Sequence, residues 1–149
     1  MSKSPAPNPA GRRHKQSRSR HDGTKATKSR KPPGKNDSGL ASRALALTLL
    51  DAVLVRRRPL DEALAAAYAH PDFAGLEPRD TAFARLLCTT VLRRHGQLTD
   101  LLDRFLAKPL PAEGARARLA LLLGAAQLVF LDAPAHAAID TAVELCRAE

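Results

Sequence analysis

Alanine and leucine dominate the chain from residue 39 onward, and this bias restricts the folds that it can adopt. Between Gly39 and Glu149 there are 25 Ala and 24 Leu, against six Val or Ile. Ala and Leu rank high in helix propensity, whereas strands are built largely from β-branched and aromatic residues. The sequence therefore predicts an all-α domain over residues 39–149.

Prolines, glycines and charged residues divide this domain into six predicted helices. These cover residues 40–55, 60–69, 78–95, 98–107 and 112–131, and a sixth that begins after Pro134. Pro78 suits the first turn of a helix, and Gly96 is expected to stop the third one. The fifth is apolar nearly all round in its second half, which indicates a central helix. Six helices with short connections predict a compact bundle.

Residues 1–38 have a different composition, with eleven Lys or Arg, two Asp or Glu, and no Val, Ile, Leu, Phe, Tyr or Trp. The rest of the chain carries 13 basic and 13 acidic side chains, so the formal net charge of +9 lies in this segment. Such a segment cannot bury enough apolar surface to fold, which predicts a disordered basic tail. It would either bind polyanions by counterion release or act only as a solubilising terminus. The tail residues expected to contact RNA are Arg12, Arg13, Lys15, Arg18, Arg20, Lys28, Arg30 and Lys31.

Several classes of protein are disfavoured. The longest apolar run, residues 119–131, is too short to span a bilayer, and no secretory signal is present. Cys88 and Cys146 lie among apolar neighbours without metal-ligand spacing, which predicts buried free thiols in a reducing, cytoplasmic compartment. One Tyr, four Phe and no Trp leave little material for stacking RNA bases.

No catalytic, cofactor or metal site is predicted. The glycines of the domain are isolated, which excludes a phosphate-cradling loop. His70, His95 and His136 are far apart and lack partners at ligand spacing. The domain is therefore expected to be a binding module and not an enzyme. Arginines occur at Arg43, Arg56–Arg58 and Arg93–Arg94. They are either exposed charges that suit a helix C-terminus or a solvated helix face, or, taken together with the tail, they bind nucleic acid.

Six strings carry a resemblance to a known family. They are Ser42–Leu47, Arg58–Leu64, Pro78–Leu87, Val91–Arg94, Leu123–Leu131 and Pro134–Leu145. In this order and spacing they resemble the NusB-like family of all-helical RNA-binding domains. That family includes the antitermination factor NusB and the N-terminal domain of bacterial rRNA cytosine-C5-methyltransferases of the RsmB type. The second and sixth strings are more similar to the methyltransferase branch.

The resemblance implies an RNA partner, ribosomal RNA above all, and a role in rRNA modification or transcription antitermination. The RNA-contacting surface of the family lies near the start of its first helix, which carries over to Arg43 and the tail. Arg79, Arg93 and Arg94 are weaker counterparts. The methyltransferase branch adds a catalytic domain with an S-adenosylmethionine site and two cysteines. Neither Cys88 nor Cys146 has the matching sequence context, so the chain as given is expected to be non-catalytic.

Two alternatives stay open. Besides an RNA-binding module that functions on its own, the sequence is compatible with the N-terminal fragment of a 16S rRNA cytosine-C5-methyltransferase without its catalytic domain. It is also compatible with a protein-interaction or dimerisation domain. The family's domain normally continues beyond Leu145 into one more helix, so this chain is expected to lack its last helix. Because buried apolar surface contributes roughly 25 cal/mol per Å², the loss would leave a marginally stable, self-associating body. An apolar patch is expected beside the fifth or sixth helix.

Overall fold

The computed structural model describes residues 35–111 and 114–147, which form six α-helices and no strand. The helices are α1 (Lys35–Leu50), α2 (Leu60–Tyr68), α3 (Pro78–Arg93), α4 (His95–Phe105), α5 (Ala115–Phe130) and α6 (Ala135–Arg147). The all-α class and the number of helices are as predicted. Among the described residues, no helix combines the length and the apolar character needed to cross a membrane.

Two helices form the centre of the bundle. α1 packs against α2, α3, α5 and α6, and α5 packs against α1, α3, α4 and α6. The central position predicted for the fifth helix is confirmed by its buried residues, which extend from Leu119 to Gln127. In α1, the consecutive residues Leu45, Ala46 and Leu47 are fully buried. Because consecutive helical residues point in different directions, α1 is enclosed on several sides and not along one stripe.

The start of α1 and the end of α3 differ from the predicted boundaries. α1 begins at Lys35 and not at Leu40, so the last residues of the predicted tail are helical. The other tail residues lie outside the described part of the chain. Gly96 does not stop the third helix, because the break falls at Arg94 and Gly96 lies in the first turn of α4. A Cβ atom added at Gly96 would meet no atom of another part of the fold within 4 Å, so neither a close contact nor the backbone conformation requires glycine there.

α1 ends in an irregular turn. The residues that follow it, Asp51–Val55, form a π-helical turn in which the Arg56 amide donates to the Asp51 carbonyl at 3.0 Å. Arg57 then adopts the left-handed conformation with φ of 59°. The sequence Arg-Arg-Arg-Pro thus ends the helix, as predicted, because proline disfavours helical backbone in the preceding residue.

Candidate nucleic-acid interface

The end of α3 presents two arginines to solvent. Arg93 is the last residue of the helix, and Arg94 forms the break before α4, with φ of −109° and ψ of 14°. Cations are favourable at this position because the helix C-terminus carries a partial negative charge. Both side chains are exposed, and neither makes an ion pair with any described residue. These arginines are therefore available to an external anion.

Arg94 is placed by an aromatic side chain from a distant part of the sequence. Its guanidinium carbon lies over the ring of Phe130, 5.2 Å from the ring centroid. Phe130 is the last residue of α5 and keeps 37% of its surface exposed. On the other side, Nη1 of Arg94 lies 3.4 Å from Oε1 of Gln97 in the first turn of α4. The end of α3, the start of α4 and the end of α5 therefore meet at one point.

A cleft of about 390 Å³ opens beside this meeting point. It is lined by Gln97, Leu98, Asp100, Leu101, Arg104, Val129 and Phe130. Its single carboxylate, that of Asp100, accepts a hydrogen bond from Nη2 of Arg104 at 2.8 Å. Because that acid is paired with Arg104, it does not neutralise Arg94, which lies over Phe130 in the wall of the cleft. We call Arg93, Arg94, Gln97, Arg104 and Phe130 the Arg94 cluster.

Arg43, the arginine nearest the expected RNA surface, is half-buried and bonded inside the bundle. Its Nε donates to Oε1 of Gln127 at 2.6 Å, and its Nη1 donates to the Gly39 carbonyl at 2.8 Å. Its guanidinium carbon also lies 5.1 Å from the centroid of the Phe83 ring. Desolvation lowers the pKa of Arg43 from its usual value. Much of its hydrogen-bonding capacity therefore holds α1 to α5.

A second cleft borders Arg43. It has a volume of about 480 Å³ and is lined on the α6 side by His136, Ala137, Asp140, Thr141 and Glu144. Asp140 and Glu144 repel phosphates, so this cleft is a poor binding surface for a nucleic-acid backbone. The structure thus gives Arg43 acidic neighbours, which sequence reasoning did not anticipate.

The structure brings together some of the predicted site residues and separates others. Gln127, which holds Arg43, and Phe130, which lies under Arg94, are one turn apart on α5. Arg43 and Arg94 therefore both contact the last turns of α5, although Arg43 lies over Phe83 in the first half of α3 and Arg94 lies at the end of α3. Arg79 lies in the first turn of α3, about 21 Å from Arg93 along the helix axis at 1.5 Å per residue. The eight predicted RNA contacts of the tail lie outside the described residues.

Arg56–Arg58 lie at the other end of α1. Arg56 donates to the carboxylate of Asp51 at 2.8 Å, and a cleft of about 260 Å³ beside it contains His70 and Asp72. Nδ1 of His70 lies 3.6 Å from Oδ2 of Asp72. Because the charge of Arg56 is already paired with a carboxylate, Arg56 attracts an external anion less strongly than an unpaired arginine does.

Sequence reasoning missed Phe130 and Gln97 as neighbours of Arg94. Phe130 ends an almost continuous apolar run, and periodicity does not tell which end of such a run is exposed. Gln127 offered a clearer signal, because it is the one polar residue between Leu119 and Leu131. A buried polar side chain needs a hydrogen-bond partner, and here that partner is Arg43.

A groove of about 430 Å³ with almost entirely apolar walls separates part of α5 from part of α6. Leu128 contributes from α5, and Ile139 and Val143 contribute from α6. Ile139 is 53% exposed and Val143 is 41% exposed. The groove lies where an apolar patch was expected.

The described residues do not assemble a metal site from three or more His, Cys, Asp or Glu side chains. Cys88 is fully buried, and burial raises the pKa of its thiol from 9.0 to about 12. The thiol is therefore protonated at neutral pH and a poor nucleophile. Cys146 is partly exposed in the apolar groove, so only Cys88 is fully buried, although both are free thiols as predicted.

Comparison with known proteins identifies relatives of this chain. The chain is 40% identical over 111 residues to "Ribosomal RNA small subunit methyltransferase B" of Xanthomonas campestris pv. campestris. It is 37% identical over 109 residues to a protein of the same description from Xylella fastidiosa, and 33% identical over 102 residues to one from Vibrio cholerae. These matches cover 74%, 73% and 68% of this chain, respectively.

The chain spans about a quarter of the length of the curated relatives that it matches, since 24%, 24% and 22% of their sequences are covered. No solved structure matches the chain significantly. The model of the NusB family matches residues 40–149, which include all of the domain from the second turn of α1 to α6. This chain therefore belongs to the NusB family.

Proposed function

We propose that this chain is an RNA-binding module that acts on ribosomal RNA and performs no catalysis by itself. The observation that carries the proposal is the family match over residues 40–149, together with relatives described as ribosomal RNA small subunit methyltransferases. The unpaired arginines at the end of α3 support it, because they offer positive charge on an otherwise neutral domain. Residues 1–38 add a net charge of +9, which favours binding to a polyanion.

In this proposal, the basic segment supplies affinity and the helical domain supplies position. Lysines and arginines bind phosphates with little dependence on base sequence, whereas helices fix the orientation of the few side chains that contact bases. We place the role in rRNA modification because the relatives carry that description. Transcription antitermination is the other role that the family resemblance suggests. A cytoplasmic location agrees with both roles and with two free cysteines.

The test is binding of the full chain to small-subunit rRNA fragments at several salt concentrations. A second full-length variant has its eight tail residues, Arg12, Arg13, Lys15, Arg18, Arg20, Lys28, Arg30 and Lys31, replaced by Gln. The affinity for RNA falls as salt rises, and each lost contact to single-stranded RNA should make the slope of log affinity against log salt shallower by about 0.7. Equal affinity of the chain and of an unrelated protein of the same charge would contradict the proposal.

A second candidate is that the chain functions as the N-terminal portion of a longer 16S rRNA cytosine-C5-methyltransferase. The coverage of about a quarter of each relative favours this candidate. The catalytic, S-adenosylmethionine-dependent domain would then be encoded downstream. Sequencing of the DNA beyond the codon for Glu149 tests it, because an unrelated gene in that position would exclude the candidate.

A third candidate, a protein-interaction or dimerisation domain, is favoured by the apolar groove between α5 and α6. An exposed apolar groove of this kind promotes association. Sedimentation of the chain over a range of concentrations, with and without Ile139→Lys, tests the candidate. Association that the substitution abolishes would support it, and a monomer at every concentration would argue against self-association.

A further inference from the structure

We propose that the Arg94 cluster binds an unstacked base of single-stranded RNA, with the base stacked on the Arg94–Phe130 pair. The inference rests on the proposed RNA-binding function and adds a site and a mode of contact to it. Unpaired RNA bases are typically held by stacking on aromatic rings and guanidinium planes. The cluster presents both groups, joined at 5.2 Å, at the rim of an open cleft.

The exposure of the pair distinguishes it from a structural contact. Among the described residues, two arginines lie over phenylalanine rings, and their surroundings differ. Arg43, over Phe83, is half-buried and donates short hydrogen bonds to Gln127 and Gly39. Arg94, over Phe130, is exposed and has a single long contact of 3.4 Å to Gln97. Of these two pairs, only Arg94–Phe130 consists of two exposed side chains.

The cleft beside Phe130 has the size and the polar groups that a base requires. Its volume of about 390 Å³ lies within the range of small-molecule sites, roughly 300–1,000 Å³. Leu98, Leu101 and Val129 give apolar walls, and the amide of Gln97 is available for hydrogen bonds to a base edge. The carboxylate of Asp100 is already paired with Arg104. Arg93 precedes Arg94 in the sequence, is exposed and makes no ion pair with a described residue, so its charge is free to attract a phosphate.

The sequence contains few aromatic residues, and the exposed ones differ in their surroundings. Phe105 is 81% exposed at the end of α4, yet it does not line the cleft. Phe83 is partly buried against the hydrophobic core. Phe130 is therefore the phenylalanine that combines exposure, a cleft and a guanidinium, and the low aromatic content predicts one stacking position at this site and not a platform of several.

The experiment measures binding of the full chain to a short single-stranded RNA that carries 2-aminopurine, whose fluorescence is quenched on stacking. Phe130→Ala should weaken binding at least about fivefold, the lower end of the contribution of one stacked base, and should remove the quenching. Its salt dependence should stay unchanged, because no phosphate contact is lost. Phe130→Tyr should retain both signals, since the ring is preserved.

Arg94→Lys separates stacking from charge, because lysine keeps the positive charge but lacks the planar guanidinium. It should reduce the quenching while leaving the salt slope near that of the original chain. It also provides a test if Phe130→Ala fails to fold, since Arg94 is exposed. The matched controls are Phe105→Ala, an exposed ring outside the cleft, and Arg85→Ala, an exposed arginine elsewhere on α3. Both should bind as the original chain does.

The site would be refuted if Phe130→Ala and Arg94→Lys bound and quenched like the original chain, or if Phe105→Ala weakened binding equally. In either case, intact RNA binding by the original chain would leave the proposed function standing. No binding of the original chain to any RNA at low salt would refute the site and the proposed function together. The two failures are thus distinguishable in one set of measurements.

Discussion

Nε of Arg43 in α1 donates a hydrogen bond of 2.6 Å to Oε1 of Gln127 in α5, joining two residues that are 84 positions apart in the sequence. Gln127 is only 1% exposed, and its Nε2 donates to the Leu123 carbonyl at 3.1 Å. The amide is thus paired through both its oxygen and its nitrogen in an apolar interior. This contact fastens the two central helices of the bundle at a defined position along their length.

Replacement of Gln127 tests the strength of that contact. Gln127→Leu leaves Nε of the half-buried Arg43 guanidinium without an acceptor, while Nη1 keeps its bond to the Gly39 carbonyl. An unsatisfied buried donor costs about 1–3 kcal/mol. The free energy of unfolding in urea should fall by that amount. The double variant Arg43→Leu/Gln127→Leu should lose less than the sum of the two single variants, because both partners are removed together. Additive losses would show that the two side chains contribute independently, and Gln97→Leu provides an exposed control.

Cys88 predicts a loss of stability at alkaline pH. Burial raises the pKa of its thiol from 9.0 to about 12, so between these values the unfolded chain releases a proton that the folded chain retains. Unfolding is therefore favoured as pH rises, by up to about 1.4 kcal/mol per pH unit between pH 9 and 12. Below pH 9 the thiol is protonated in both states and contributes no pH dependence.

The measurement compares the free energy of unfolding of the original chain and of Cys88→Ala across that range of pH. The variant should show the shallower alkaline decline, whatever its stability at neutral pH. Equal declines would contradict the assignment to Cys88. A thiol reagent provides a second check, because partly exposed Cys146 should react in the native state and Cys88 should react only on unfolding.

The irregular end of α1 predicts a stabilising substitution. Arg57 has φ of 59°, a left-handed conformation that costs an L-residue about 1–2 kcal/mol but is open to glycine. Arg57→Gly should raise the free energy of unfolding by up to about 1 kcal/mol, since the greater entropy of unfolded glycine offsets part of the gain. Asp132→Gly, at φ of 49°, should gain less because aspartate adopts this conformation more readily than arginine. A loss of stability in Arg57→Gly would contradict this account.

Gly124 sets how closely α5 and α6 approach. A Cβ atom at this position would lie 3.4 Å from Cβ of Ala142 and 3.9 Å from the Ala138 carbonyl oxygen. Because a Cβ atom alone already reaches van der Waals contact with α6, we expect the two additional methyl groups of Gly124→Val to overpack this contact and to lower the stability by about 1–3 kcal/mol. Gly96→Ala, which meets no atom within 4 Å in helix α4, should instead gain up to about 1 kcal/mol. Thermal unfolding monitored by circular dichroism measures both changes.

The helices could be predicted from local signals, and the errors have local causes. Pro78 begins α3 as expected because its ring fits the first turn, where no amide donor is required. Gly96 was expected to end that helix, but glycine permits a break without causing one, and the turn formed two residues earlier. The early start of α1 was missed because Lys35–Ser38 resemble the tail in composition, while helix formation there is continuous with the apolar segment that follows.

The sequence indicated that basic residues at helix ends form the interface, but not which other side chains surround them. Arg94 was recognised from the sequence as a basic residue at a helix end. Its neighbour Phe130 was not, since 36 residues separate the two and their contact depends on the packing of α3, α4 and α5. Arg43 is predicted as an RNA contact from its place near the start of the first helix and from the family resemblance, and the structure shows that a buried glutamine and a backbone carbonyl already take up part of its donor capacity.

The sequence by itself determined the helical class, the separation of charge between residues 1–38 and the neutral domain, and the central position of α5. These properties follow from propensity, composition and periodicity, each of which acts over a few neighbouring residues. Only the tertiary structure decided that Arg43 is bonded within the bundle while Arg94 remains open beside Phe130. Whether an arginine is free to bind a ligand depends on which distant groups meet it, and those meetings are fixed by packing between helices.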